Sequence, residues 1–250
     1  MMSQVSVIMP CYNMERFIAH SIESVIGQSF ADLELLIVDD ASTDKTADVV
    51  RYYCEQDDRV KLVVKQEHSG IANSRNQALS AAQGRYLAFL DADDVWHSNK
   101  LEKQLAFMQE RDVAFSYSAY DLIDEDGRSL QKTIATAGNL NHDAYLRNTI
   151  IGCSTVMVDK EKVGGVRIPD FRTSEDTATW LNILRKGFVA YAIDETLVSY
   201  RIRNKSASSN KLKASHDLWK VYRQQEKMPF FKALRYFSSY AFHAIKKRLG

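Results

Sequence analysis

Apolar residues fall in short, nearly unbroken runs through the first ninety positions, with helical spacing between the runs. Gln4-Val-Ser-Val-Ile-Met9, Glu34-Leu-Leu-Ile-Val38, Val60–Val64 and Tyr86-Leu-Ala-Phe-Leu90 have the length and composition of strands buried on both faces. Between the first two, Phe17, Ile18, Ile22, Val25 and Ile26 recur at helical spacing within Glu15–Gly27. Thr43 or Asp44 can cap a second helix reaching about Glu55. Ile71–Ala82 predicts a third helix, closed by Gly84 before the next strand. This alternation predicts an α/β domain whose sheet is parallel and covered on both faces. Ligands of such sheets bind at the carboxyl ends of the strands. That rule puts Pro10–Asn13, Asp39-Asp40 and Asp91–Asp94 on one rim.

Beyond Val95 the alternation weakens. Lys100–Glu110 predicts a helix and Ala114–Ser118 a strand, and Asp124-Glu-Asp-Gly127 makes a turn joining Tyr117–Ile123 to a polar strand. Ser174-Glu175-Asp176 opens a helix over Thr177–Lys186 that Gly187 ends. No internal repeat, low-complexity tract or linker precedes about residue 205. A last helix starts at Pro229, with Phe230, Leu234, Phe237, Ala241 and Ile245 on one stripe. Tyr236, Tyr240 and Phe242 broaden the stripe, and Lys246-Lys-Arg248 crowds its end.

Composition adds a charge asymmetry. The chain has 250 residues, 45% hydrophobic and 26% charged, as a soluble globular protein does, and a net charge of +1. Yet 13 of its 33 Lys/Arg and two of its 32 Asp/Glu fall in 201–250, so residues 1–200 carry a net charge of −10. The basic end calls for an anionic surface, a membrane or nucleic acid. Its aromatic residues favour a helix lying in an anionic headgroup layer, the alternatives being a helix packed back on the body or an oligomer contact. No apolar run reaches membrane-spanning length, and Met1–Met9 lacks the character of a signal peptide. Cys11, Cys54 and Cys153, scattered and odd in number, read as reduced thiols of a cytosolic protein.

Candidate chemistry centres on Asp91, Asp93 and Asp94, three carboxylates within four positions at the end of an apolar strand. Clustered carboxylates repel one another and resist desolvation, so they call for a cation. Two Asp separated by one residue offer hard oxygen ligands to Mg2+ or Mn2+, which can also take phosphate oxygens. A solvated acidic turn is the plain alternative. An apolar strand followed by Asp91-x-Asp93-x-Val95 also fits an aspartyl-nucleophile phosphatase, with Asp91 attacking phosphorus and Asp93 as acid/base. That pattern usually sits on a chain's first strand, whereas several strand–helix units precede it here. A non-catalytic nucleotide-binding protein docked on a membrane is the third reading.

Five stretches occur in order: Val5-Ser-Val-Ile-Met-Pro-Cys-Tyr-Asn13, Glu34-Leu-Leu-Ile-Val-Asp-Asp-Ala-Ser42, Ala72-Asn-Ser-Arg-Asn-Gln-Ala78, Leu90-Asp-Ala-Asp-Asp94 and Ser174-Glu-Asp176. Together they resemble the inverting glycosyltransferases of family 2 over roughly residues 4–205. The resemblance implies an α/β GT-A fold, a Rossmann-like mixed sheet flanked by helices, over 1–205. Its nucleotide-binding half is 1–95 and its acceptor-binding half 96–205, followed by a basic amphipathic helical tail at 206–250. It also implies a UDP-sugar donor, Mn2+ or Mg2+, and a single displacement that inverts the sugar.

On that resemblance Pro10, Tyr12 and Asn13 line the base pocket, Tyr12 stacking on uracil. Asp40 accepts the uracil N3–H, a contact cytosine cannot make because its N3 has no proton. Asp39 reaches the ribose or holds the turn. Arg75 faces the diphosphate, Asp91 lies near the ribose, Asp93 holds the metal, and Asp94 is a second ligand or an orienting neighbour. Asp176 matches the base that takes the acceptor hydroxyl's proton, and Glu175 orients the acceptor or its loop. Singly these residues have plainer explanations: packing or surface for Tyr12 and Arg75, helix capping for Glu175-Asp176. Trp180, one turn past Asp176, reads as a core residue, with an acceptor-site role as the alternative. One departure stands out. Relatives often carry Tyr-Arg-x-His, whose His completes metal coordination, where this chain has Tyr200-Arg-Ile-Arg203. Arginine cannot ligate a cation, so Arg201, Arg203 or Lys205 is expected to clasp the diphosphate. The expected acceptor is a saccharide on a polyprenyl diphosphate, the expected cargo an unsubstituted hexose, and the setting bacterial surface-polysaccharide (O-antigen) assembly. The tail would make peripheral contact with the cytoplasmic face of the cell membrane, and no nucleic-acid partner is expected.

Overall fold

The computed structural model describes residues 4–203 and 211–249, with side chains for 4–203 and 213–243. Strands β1 (Val5–Cys11), β2 (Leu33–Asp39), β3 (Val60–Val64) and β4 (Tyr86–Phe89) alternate with helices α1 (Ile18–Ile26), α2 (Thr46–Gln56) and α3 (Ile71–Ala81). The four strands pair in parallel in the order β3-β2-β1-β4. Successive side chains of a strand point to opposite faces, and here both faces are covered. Val7, Met9, Leu35 and Ile37 enter one core cluster, with residues of α1. Ile8, Leu36, Val38 and Phe89 enter the other. The unbroken apolar runs are the sequence record of that two-sided burial. Where α3 hands over to β4 the backbones nearly touch. A Cβ on Gly84 would stand 2.6 Å from the Ser6 nitrogen, so only glycine fits.

The remaining strands depart from the parallel pattern. They are β5 (Val95–Trp96), β6 (Phe115–Ile123), β7 (Ser129–Ile134), β8 (Val156–Asp159) and β9 (Tyr191–Arg201), with helices α4 (Lys100–Glu110), α5 (His142–Arg147), α6 (Lys160–Val163) and α7 (Glu175–Arg185). β8 runs antiparallel between β4 and β6, while β9 lies parallel to β6 and antiparallel to β5. The nine-stranded sheet is therefore mixed, as the family resemblance implies: the four strands of the apolar alternation pair in parallel, and the strands past Val95, where the alternation weakens, bring in the antiparallel pairs. Trp180 is fully buried against Phe89 and Phe115 and belongs to the core. All three cysteines are free.

The last segment is α8 (Lys211–Lys220), a π-helical turn over Val221–Gln225, and α9 (Phe230–Leu249). Leu218, Val221, Tyr222, Ala233 and Tyr236 join the core cluster that holds Trp180. Tyr222 Oη donates to the Leu146 carbonyl (2.7 Å), Gln225 Nε2 to the Ala178 carbonyl (2.8 Å), and Thr173 Oγ1 to Asp217 (2.8 Å). The apolar stripe of α9 is thus divided. Tyr236, Phe237 and Tyr240 pack on the body, while Phe231 is 82% and Phe242 66% exposed. The side chains of Ile245, Lys246, Lys247 and Arg248, and all of Lys205, lie outside the described residues. No helix among the described residues is long and apolar enough to cross a membrane.

Candidate active site

β1 and β2 end side by side, with Cys11 in register with Asp39. The loops that follow are stitched together. Asn13, at φ 53°, donates its N–H to Ser42 Oγ (2.9 Å) and accepts at Oδ1 from the Thr43 N–H (2.8 Å). Asn13 therefore braces the rim, and Pro10 is buried within β1. The Tyr12 ring is exposed at the rim and faces His68, ring centroids 4.3 Å apart. Asp39 accepts from the Ser42 hydroxyl at one oxygen. Its other oxygen is buried with no partner among the described residues, an acceptor left for a donor from outside. Asp40 accepts from Lys65 Nζ (2.6 Å) and from the Gly70 N–H (2.7 Å). Burial pushes its carboxyl up, but these donors outweigh burial and hold it below the ordinary carboxylate value.

The third strand end carries Asp91–Asp94. Arg75, on α3 and 1% exposed, donates from Nη2 to Asp91 (2.6 Å) and from Nη1 to Glu175 (2.8 Å). The resemblance gives Arg75 to the diphosphate; in the folded chain its guanidinium bridges the strand-end acid and the acid that starts α7. Its Nε is buried without a partner among the described residues. Asp93 accepts from Arg203 Nε (2.5 Å). Asp94 is fully buried, accepting from Ser154 Oγ (2.5 Å) at one oxygen and from the Arg201 N–H (2.9 Å) at the other. Both its oxygens are engaged by the protein, which is the orienting arrangement. Arg201 is likewise consumed, donating to the carbonyls of Asp93 (2.7 Å), Asp124 (3.2 Å) and Glu125 (3.1 Å). Arg201 and Arg203 both lie over the Phe17 ring, at 5.3 and 5.4 Å. Of the two, Arg203 is the one whose guanidinium stands at the acidic rim.

Electrostatics mark the same residues. Burial, with Asp91 nearby, raises the Asp93 carboxyl above its ordinary value against the pull of Arg203. Asp94 is raised well above it by burial and by both neighbouring acids. Glu175 is pushed up to about 7 by burial, opposed by Arg75 and reinforced by Asp176. Asp176, at the first turn of α7, is raised by burial despite Arg75. Strongly shifted groups converging at strand ends are a mark of a reaction site.

No set of three or more His, Cys, Asp or Glu among the described residues is placed to enclose a metal ion. Mg2+ and Mn2+ do not need such a cage, since one or two carboxylates plus substrate phosphates suffice. Asp91 and Asp93, hard oxygen donors one residue apart on the rim, fit a cation shared with a diphosphate. Residues that the pattern of the chain does not single out complete the site. Lys65 and the Ser69-Gly70 turn follow β3, and the strand-end rule could have found them. Ser154, in the 3-10 turn Cys153–Thr155, carries no sequence signal.

The order of the strands and the acidic rim at their ends define the class, a GT-A glycosyltransferase. The chain belongs to glycosyl transferase family 2, whose model matches residues 6–171. Over 245 residues it is 50% identical to a Bacillus subtilis (strain 168) protein whose name provisionally assigns it to teichuronic acid biosynthesis, glycosyltransferase TuaG, covering 98% of this chain and 97% of that one. It is 36% identical over 245 residues to an Escherichia coli protein, UDP-Glc:alpha-D-GlcNAc-diphosphoundecaprenol beta-1,3-glucosyltransferase WfgD, covering 97% and 94%. Among solved structures, S. aureus TarS 1-349 in complex with UDP-GlcNAc shares the fold at a TM-score of 0.73 and 21% identity, covering 88% of this chain and 64% of that one. The mannosyltransferase PcManGT from Pyrobaculum calidifontis, in complex with GDP-Man and Mn2+, shares it at 0.70 and 21%, covering 92% and 66%. The chain thus spans about two thirds of the length of these two structures.

Proposed function

We propose that this chain is an inverting hexosyltransferase that takes a sugar from UDP and places it on a saccharide carried by a polyprenyl diphosphate, in surface-polysaccharide biosynthesis. The observation that carries the reading is the Arg75 bridge, which fixes the donor rim at Asp91 and the acid pair at Glu175 to one guanidinium. A donor's reacting carbon and an acceptor's hydroxyl would then meet between them. The names of WfgD and TuaG support the polymer and the lipid-linked acceptor.

In this reading Tyr12 stacks on uracil, Asp40 receives the base N–H, and the unpartnered oxygen of Asp39 takes a ribose hydroxyl. Asp91 and Asp93 would hold Mn2+ or Mg2+, and Asp94 stays with Ser154 and Arg201 as the support of the turn. The bound cation supplies positive charge where the leaving diphosphate accumulates negative charge. Arg203 turns from Asp93 to the diphosphate and adds a second positive group there. Asp176 takes the proton of the acceptor hydroxyl. That oxygen attacks the anomeric carbon from the side opposite the diphosphate, whose bond to the sugar breaks, so an α-linked donor gives a β-glycoside. Raised by burial, Asp176 is a stronger base than an ordinary Asp. Glu175, anchored by Arg75, orients the acceptor. The exposed aromatic face of α9 contacts the inner surface of the cell membrane, where a lipid-linked acceptor resides.

Radiolabelled UDP-glucose, UDP-galactose and UDP-N-acetylhexosamines, each offered with polyprenyl-diphosphate-linked saccharides, test the proposal. Transfer of a hexose with a β-anomeric coupling in the product's NMR spectrum is expected. An α-linked product, or no transfer from any of the donors, sinks it.

A further inference from the structure

Asp40 has no open side. Its Oδ1 accepts from Lys65 Nζ (2.6 Å) and the Ser69 N–H (3.1 Å), and Oδ2 accepts from the Gly70 N–H (2.7 Å). The remaining approach to Oδ2 is covered by His68, whose Nδ1 stands 2.9 Å from it and donates to the Asp40 carbonyl at 3.2 Å. Both neighbours of Nδ1 are acceptors only, which assigns the ring proton to that nitrogen. The same imidazole leans on Tyr12, tilted 41° with centroids 4.3 Å apart. One planar heterocycle therefore has a ring N–H on Asp40 and a face on Tyr12. Those are the two contacts by which uracil is held in the reading proposed above.

A carboxylate offers roughly four lone-pair sites, and each of these is occupied or covered. A base N–H can reach Asp40 only if a resident leaves. Two residents are main-chain N–H groups set by the Ser69-Gly70 turn, in which Gly70 adopts φ 90° at the start of α3. Lys65 is only 15% exposed at its side chain, whereas His68 is 55% exposed. The imidazole is the resident that can rotate into solvent without moving the backbone.

We propose that His68 fills the nucleobase place in the free protein, and that the uracil of the donor displaces it from both Tyr12 and Asp40. This rests on the Tyr12–Asp40 base pocket. Removing the imidazole spares the incoming base an exchange worth about one net hydrogen bond, so UDP should bind about two- to tenfold more tightly. Inorganic diphosphate, which has no base, should bind equally with and without His68.

The test is calorimetric titration of the full chain, H68A, Y12A and D40N with UDP and with inorganic diphosphate, all in the same Mg2+ buffer. Tighter UDP binding by H68A with unchanged diphosphate binding, together with weaker UDP binding by Y12A and D40N, is the expected result. UDP binding by H68A at or below the strength of the parent chain, with Y12A and D40N still weakened, overturns the displacement and makes His68 a pocket wall. Equal strengthening toward diphosphate overturns it too, because the competition would not be with the base. If Y12A and D40N bind UDP as the parent does, the base-pocket reading falls and the displacement with it. The His68 imidazole NMR signals add an independent readout. They should shift on saturation with UDP, and signals that stay put contradict the exchange.

Discussion

Glu175 and Asp176 occupy adjacent positions yet face different partners, and that difference separates their roles. Glu175 is tied to Arg75, while Asp176 accepts from its neighbour Thr177, whose N–H stands 2.6 Å from the carboxylate. Asp176→Asn keeps the size and removes the proton acceptor. Turnover should fall by about 10²- to 10⁴-fold, the scale of general-base catalysis, while UDP affinity is unchanged. Near-parental turnover would refute the assignment. A base works only when deprotonated, and burial raises the proton affinity of both acids, so activity is present at high pH and lost as pH falls. The acid limb of kcat/KM should lie above the ordinary Asp value of about 3.9, because burial raises Asp176. A limb centred on the ordinary Asp value would contradict the geometry. At the rim, Asp93→Ala should abolish transfer and weaken metal-dependent UDP binding, measured by titration with and without Mn2+. It leaves Arg203 without its carboxylate partner.

At the scale of elements, legibility follows distance along the chain. β1, β2 and β4 can be read directly, because two-sided burial writes itself as an apolar run, and their polar ends locate the rim. β9 cannot. Tyr191–Arg201 mixes Ala, Asp, Glu and Thr with its apolar residues, and its place comes from pairing with β6 and β5. Arg75 is visible as a residue of α3, but its link to Glu175 spans 100 positions and leaves no local trace. The same holds for Asp94, whose partners Ser154 and Arg201 lie 60 and 107 positions away. Nor does the pattern of α4 reveal that its first residue, Lys100, is fully buried, with Nζ 4.0 Å from the Trp96 ring centroid and bonded to Gln104 (2.7 Å). Burial lowers this lysine from 10.5 to about 7. The folded chain therefore binds fewer protons there than the unfolded chain between those values. Stability should rise with pH across that window, by about 1.4 kcal/mol per unit, and level off above it. Lys100→Met should flatten that slope in denaturant titrations run from pH 7 to 10, and an unchanged slope would show that another group sets it.

Across the whole molecule the tail has two faces with different occupations. Tyr236 and Ala233 are sealed against the body, and Phe231 and Phe242 look outward. Exposed aromatics on a helix within a basic segment suit an anionic lipid surface. Replacing Phe231 and Phe242 together by Ser should reduce sedimentation with phosphatidylglycerol vesicles several-fold while the melting temperature stays the same, since neither ring is buried. Unchanged sedimentation would remove the membrane from the account.

The inward face reaches further than anchoring. Thr173, two positions before the acid pair, is held by Asp217 of α8, and the Ala178 carbonyl, one turn into α7, is held by Gln225. The C-terminal segment is thus a strut for the helix that presents Asp176. A chain cut after β9 would lose that strut, so the truncated enzyme would be slow even toward a detergent-dissolved acceptor.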